Sequence, residues 1–187
     1  MRLNGKVAVV TGAGAGIGRE TSLVFAREGA AVVVSDRNGA TAEETANLIT
    51  QAGGKAIALT VDVSKGAEVQ QMLERAIAEF GTLDILFNNA GIGARAVPIE
   101  DLTYEDWSAV VAANLTGAFL CAQQAVKLMK EQTPRGGRIV NNGSISAHTP
   151  RPMSAPYTAT KHAITGLTKS IALDCRQFDI CCGQIDI

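Results

Sequence analysis

The sequence predicts an α/β fold, a doubly wound parallel sheet with helices on both faces. Three observations predict it. Short, continuously apolar runs alternate with segments of amphipathic helical length along the whole chain. Those runs lack the in–out alternation of a half-exposed strand, and strands buried on both faces read this way. A glycine-rich stretch, Thr11–Gly18 (TGAGAGIG), joins the first apolar run to the first helical segment. Parallel neighbours need long crossovers, usually helices, and this order supplies them.

The expected strands are Lys6–Val10, Ala31–Ser35, Ala56–Val61, Ile85–Asn88 and Arg138–Asn142. The expected helices are Ile17–Glu28, Ala40–Ala52, Lys65–Phe80, Thr103–Glu131 and Pro156–Phe178. Gly29 closes the first helix and Gly53-Gly54 the second. Ser64 is placed to cap the third, and Thr103 with Asp106 resembles a capping box on the fourth. Asn114 and Gly117 are poor helix formers inside that fourth segment, so a local irregularity is expected there. The final stretch, Asp179–Ile187, reads as a further strand. No repeat, low-complexity tract or linker interrupts the pattern, so residues 1–187 read as one domain.

Composition narrows the function. The chain has 187 residues, 47% hydrophobic and 19% charged, which is globular rather than disordered. Seventeen basic and 18 acidic residues give a net charge of −1 with no basic run, so no nucleic-acid partner is expected. The N-terminal apolar run is too short for a signal peptide, and no apolar stretch is expected to span a membrane. Cys121, Cys175, Cys181 and Cys182 match no zinc spacing and read as reduced thiols. The expected location is the cytoplasm.

The glycine stretch carries the first functional signal. A strand, a glycine turn and a helix N-terminus together form an anion seat, because the helix start presents unpaired N–H groups and a positive dipole end. Gly12 permits the tight turn; Gly16 and Gly18 leave room for a ligand or a packed strand. A dinucleotide pyrophosphate fits this seat, and so does no ligand at all, since such turns occur in many α/β proteins. Asp36 ends the second strand, eighteen residues after Gly18. Its carboxylate suits ribose hydroxyls and repels a 2′-phosphate, which favours NAD over NADP. Arg37 argues the other way, because a guanidinium pairs with phosphate. Asp62, in VDVS, either leads into the next helix or meets an adenine amino group, with Val63 against the ring. Asn88-Asn89-Ala90-Gly91 ends the fourth strand with two amides and two small residues, a polar turn that also lets backbone approach a ligand.

The second signal is Tyr157, four residues before Lys161 in YTATK, on one face of a helix that Pro156 suits at its first turn. A free phenol has a pKa of about 10, too high for a base at neutral pH. An ammonium roughly 4 Å away favours phenolate by about 4 kcal/mol at an effective dielectric of 20, before desolvation is subtracted. Such a phenolate can take a proton from an alcohol while hydride leaves the carbon. Ser144, thirteen residues upstream and just past the fifth strand, can hold the substrate oxygen.

These pieces together resemble the classical short-chain dehydrogenase/reductase family. The resemblance rests on Thr11-Gly12-xxx-Gly16-Ile17-Gly18, Asp62-Val63, Asn88-Asn89-Ala90-Gly91, Asn114, Ser144 and Tyr157-xxx-Lys161, in the family's order and spacing. It implies a Rossmann fold and hydride transfer between NAD(H) and an alcohol or carbonyl substrate. Tyr157 would be the general acid/base. Lys161 would lower its pKa and bind the nicotinamide ribose, Ser144 would position the substrate, and Asn114 would hold a relay water. The implied assembly is a homodimer or homotetramer through the helices near Thr103–Glu131 and Pro156–Phe178. Two departures stand out. Asn142-Gly143 replaces the commoner Ile-Ser before Ser144. The family also continues past the strand after the Tyr-Lys helix into a substrate loop, a helix and a last strand, so the C-terminal part of the fold is expected to be missing. The residues 1–187 alone are accordingly expected to be poorly soluble or weakly active. His148, Arg151 and Met153 are candidates to face substrate, and Arg95 is undetermined. An NADP-dependent ketoreductase of the 3-oxoacyl thioester type and a non-catalytic dinucleotide-binding protein are the alternatives.

Overall fold

The computed structural model describes residues 1–187. Six parallel strands form one sheet in the order β3-β2-β1-β4-β5-β6. The strands are β1 (Val7–Thr11), β2 (Ala31–Asp36), β3 (Lys55–Thr60), β4 (Ile85–Asn88), β5 (Gly137–Asn142) and β6 (Ile180–Ile185). The helices are α1 (Gly16–Arg27), α2 (Gly39–Gln51), α3 (Gly66–Phe80), α4 (Tyr104–Val111), α5 (Gly117–Glu131) and α6 (Ala155–Cys175). Each expected element is present, with ends displaced by no more than three residues and the fourth helix divided into α4 and α5.

Alternation along β1 divides the core in two, as a period-two strand must. Val9 belongs to the larger cluster, with Val69, Met72 and Leu73 of α3 and Cys121, Ala125 and Met129 of α5. Val10 belongs to the smaller cluster, with Ala42, Ala46 and Ile49 of α2. Helices do cover both faces, but unevenly. On the α1–α2 side, an apolar groove of about 510 Å³ lies between α1 and the strands β4 to β6. Ile17, Val24, Phe25, Phe87, Val140 and Ile185 line it.

Two local expectations need correcting. Ser64 does not cap α3: its hydroxyl donates to Asp62 at 2.7 Å, and the N-cap position falls on Lys65 without a side-chain bond. The helix starts at Gly66, so Ser64 lies one residue before the N-cap and its oxygen does not serve the first-turn N–H groups. The expectation that no segment reaches membrane length also fails by length and composition. Tyr104–Glu131 forms a continuous 28-residue helical stretch, and an 18-residue window within it has a mean hydropathy of 1.4. Part of its apolarity comes from residues packed in the core, among them Cys121, Ala122, Ala125 and Met129. The expected irregularity is a π-turn over Ala112–Thr116, which joins α4 to α5 and contains Asn114. Thr103 caps α4 by accepting from the Asp106 N–H at 3.1 Å.

Candidate active site

A cleft of about 740 Å³ opens at the C-terminal ends of β1 and β4, where the strand order reverses. Such a reversal leaves a crevice between loops that diverge to opposite faces, and ligands of open α/β sheets bind there. Gly12, Ala15, Ile17 and Asp36 line one part of the cleft, Asn89, Ala90 and Gly91 the middle, and Asn142, Arg151, Met153, Tyr157 and Lys161 the rest. A smaller pocket adjoins it, lined by Asp36, Arg37, Asp62 and Val63. The two pockets share Gly12, Asp36, Ala90 and Gly91.

The glycine turn is shaped by contacts that side chains would block. Gly12 has φ +62°, and a Cβ there would sit 2.8 Å from Ala90 Cα. A Cβ on Gly18 would strike the Gly12 carbonyl and lie 2.7 Å from Asn89 Nδ2. Gly18 therefore serves helix-to-turn packing, and neither it nor Gly16 lines the cleft. Asp36 accepts from the Gly14 N–H and the Asn38 N–H, each at 2.9 Å. Arg19 braces the opposite side of the turn: its guanidinium donates to the Gly14 carbonyl at 2.7 Å and pairs with Glu44 at 2.7 Å.

A run of amides ties this turn to Lys161. The Lys161 ammonium donates to the Asn142 carbonyl at 2.7 Å. Asn142 Nδ2 donates to Asn89 Oδ1 at 2.9 Å. Asn89 Nδ2 donates to the carbonyls of Thr11 at 2.9 Å and Gly12 at 3.1 Å. The Thr11 hydroxyl completes the join by accepting from the N–H groups of Asn89 and Ala90, both at 3.0 Å. Asn142 and Arg19 are not among the site residues that the sequence points to: Asn142 meets Asn89 across the sheet and Arg19 meets Glu44 on α2, and no spacing along the chain reveals these partners.

Tyr157 sits half-buried on the first turn of α6, and Lys161 Nζ lies 5.5 Å from its ring centroid. Burial holds the Lys161 ammonium below the usual lysine range, while the carboxylate of Asp186 pulls the other way. Ser144 and Asn114 do not line the cleft. The Ser144 hydroxyl donates to the Ile187 carbonyl at 3.3 Å and accepts from the Ser146 N–H at 3.2 Å. Asn114 spends both side-chain groups on Ile92, accepting from its N–H at 2.7 Å and donating to its carbonyl at 3.0 Å. Of the substrate-facing candidates, Arg151 and Met153 line the cleft. His148 instead pairs with Asp186 at 2.9 Å, and Arg95 with Asp106 at 3.7 Å.

Comparison with known proteins identifies the architecture. The model of the family described as short chain dehydrogenase matches residues 6–186. The short chain dehydrogenase/reductase astE of Aspergillus oryzae is 42% identical over 173 residues, 92% of this chain and 66% of its own length. The crystal structure of a 3-ketoacyl-(acyl-carrier-protein) reductase from Brucella melitensis complexed with NADH is 37% identical with a TM-score of 0.93. That match covers 98% of this chain and 76% of the reductase. An NAD+-bound xylitol dehydrogenase is 34% identical with a TM-score of 0.95, covering 100% of this chain and 71% of that one. The chain belongs to the short-chain dehydrogenase family and spans about two thirds of the length of the curated relatives it matches.

The smaller pocket makes a pH-dependent prediction. Hydrogen bonds from the Ser64 hydroxyl and N–H hold the Asp62 carboxyl below its usual range, helped by the charges of Lys65 and Arg37. A carboxyl depressed in the folded state binds fewer protons there than when unfolded. Its contribution is therefore complete above the unfolded value of about 3.9 and is lost as pH falls through the folded one. Asp62→Ala should lower Tm at pH 7 and do so progressively less between pH 4 and pH 2.5. Thermal melts across that range check it; a pH-independent difference is the contrary result.

Proposed function

We propose that this chain is an oxidoreductase that moves hydride between NAD(H) and an alcohol or carbonyl carbon, with Tyr157 as general acid/base. One observation carries the reading: Tyr157 and Lys161 share a single cleft with the glycine turn and Asp36. The dinucleotide fits these residues. Gly12, Ala15 and Ile17 of the turn and the start of α1 line the cleft, so a phosphate there can approach the helix N-terminus. The bound nicotinamide supplies the hydride acceptor in oxidation and the donor in reduction.

The residues supply the proton chemistry. In oxidation Tyr157 would take the O–H proton of the carbinol as its carbon gives up hydride. The Lys161 ammonium, one helical turn on, stabilises the phenolate that must accept that proton. Lys161 is anchored at the Asn142 carbonyl, which fixes where that charge sits. Ser144 reaches the substrate oxygen when its hydroxyl leaves the Ile187 carbonyl. With both side-chain groups of Asn114 on Ile92, a relay water would meet its backbone, within the π-turn.

NAD is the favoured cofactor. A 2′-phosphate placed on the ribose would approach the Asp36 carboxylate in the cleft wall. Arg37 supports the NADP-dependent ketoreductase alternative, yet its charge already acts on Asp62. The bound NADH and NAD+ of the two similar structures favour the first reading.

Purified protein should form NADH from NAD+ with at least one member of a panel of secondary alcohols, polyols, hydroxysteroids and 3-hydroxyacyl thioesters. Tyr157→Phe should reduce that rate by about 10³-fold or more and leave the Kd for NAD+ within twofold, since proton transfer and binding are separable. Surviving turnover would remove Tyr157 from the acid/base role. Cofactor choice is read from kcat/KM: NAD should exceed NADP, and Asp36→Ala should narrow the gap by about tenfold, roughly the cost of one charge contact. A wild-type preference for NADP would contradict the Asp36 argument.

A further inference from the structure

The departure at Gly143, beside Ser144, is explained by Asp186, the residue that follows β6. Gly143 donates its N–H to the Ile185 carbonyl at 2.7 Å, which brings the end of β5 against the end of β6. A Cβ on Gly143 would strike Asp186 Oδ1 and lie 2.6 Å from Gln184 Nε2. Serine cannot occupy this position with Asp186 where it is. Into the space left by the missing side chain, the Asp186 carboxylate reaches the turn that carries Ser144. Its Oδ1 accepts from the Ser144 N–H at 3.0 Å and from Gln184 Nε2 at 2.6 Å. Its Oδ2 lies 2.9 Å from His148 Nε2, at the far end of the same turn. Gln184 Nε2 also donates to the Thr165 hydroxyl at 3.0 Å, four residues past Lys161 on α6. The result is a continuous path of hydrogen bonds from the Tyr157–Lys161 helix to the Ser144 backbone.

We infer that Asp186 is a positioning residue: seated in the gap that Gly143 leaves, it fixes the Ser144 turn against the helix carrying Tyr157 and Lys161. The inference rests on the oxidoreductase reading for its functional meaning. Its physical basis is the strength of N–H to carboxylate bonds, which exceed neutral ones and orient backbone as well as side chains. One carboxylate holding both ends of a five-residue turn leaves Ser144 little freedom relative to Tyr157. His148 and Gln184, by lending their hydrogen bonds, hold the Asp186 carboxyl below the usual carboxylate range. It therefore stays an acceptor at neutral pH.

Two measurements test this. Amide hydrogen exchange, read by NMR on the whole 187-residue chain, needs no turnover. Asp186→Ala should speed exchange of the Ser144 N–H by about tenfold or more, the value of one charged hydrogen bond. Asp186→Asn keeps an oxygen acceptor and should retain most of the protection. Exchange of the Leu86 amide in the sheet centre should not change in either variant. The second measurement is steady-state kinetics with the best alcohol of the panel. Asp186→Ala should lower kcat by about tenfold with KM for NAD+ within twofold, Asp186→Asn should recover most of it, and Gly143→Ser should reproduce the alanine loss. Unchanged Ser144 exchange in Asp186→Ala overturns the inference. So does faster exchange with kcat unchanged, which makes Asp186 structural only. A wild-type chain without turnover on any alcohol overturns the oxidoreductase reading instead, and the exchange measurement still decides whether the clamp exists.

Discussion

The side chain of Asn89 is the contact on which the site depends. It stands at the C-terminal end of β4, beside the point where the sheet changes direction, and it faces two ways. Its amide nitrogen holds the carbonyls of Thr11 and Gly12, and its oxygen takes a hydrogen bond from Asn142. The glycine turn belongs to the first half of the fold and Lys161 to the second. Beside strand pairing, the Thr11 hydroxyl holds the loop after β4 through the N–H groups of Asn89 and Ala90, and the Asn89 side chain carries the tie on to the Gly12 carbonyl and to Asn142. A side chain with both a donor and an acceptor is needed, because a backbone carbonyl lies on one side and an amide N–H on the other. Gly18 belongs to the same arrangement, since any larger residue would displace Asn89 or the Gly12 carbonyl.

The rest of the architecture serves that junction. The strand order opens the crevice, and helices on its two sides diverge from it. The larger core anchors α3 and α5, and α6 carries Tyr157 and Lys161 to the cleft wall. Below the loops, buried amides continue the theme across the sheet. Asn88 donates to Asn141 at 2.9 Å, and Asn141 donates to Thr168 of α6 at 2.8 Å. Partly satisfied amides at such depth are costly, and here they register β4, β5 and α6 against one another. Asp186 adds a further tie from the far edge of the sheet, which holds both ends of the Ser144 turn through side-chain contacts.

Much of this was legible in the sequence, for a physical reason. Continuous apolar runs and amphipathic helices are local patterns, so every strand and helix was found near its true place. The Tyr157–Lys161 pair was legible because helical geometry converts four residues of separation into one face. Asp36, Asp62 and Asn89 were legible because strand ends in this topology converge on one crevice. Contacts between separate strands were not. Asn142 to Asn89 spans 53 residues and Asp186 to Ser144 spans 42, and no local period encodes either. Ser64 illustrates the limit from the other side. Its position suits a cap, but α3 starts at Gly66, which leaves Ser64 one residue short of the N-cap. The sequence also marked Gly143 as unusual without a cause; the cause lies across the sheet.

The most direct test of this account is calorimetric titration of NAD+ into the wild-type protein and into Asn89→Ala. Loss of the bridge should free the glycine turn and weaken binding by about tenfold or more, the equivalent of one to two hydrogen bonds, with the circular dichroism spectrum and Tm showing a folded chain. An Asn89→Ala protein that is folded and binds NAD+ with the wild-type Kd would contradict it.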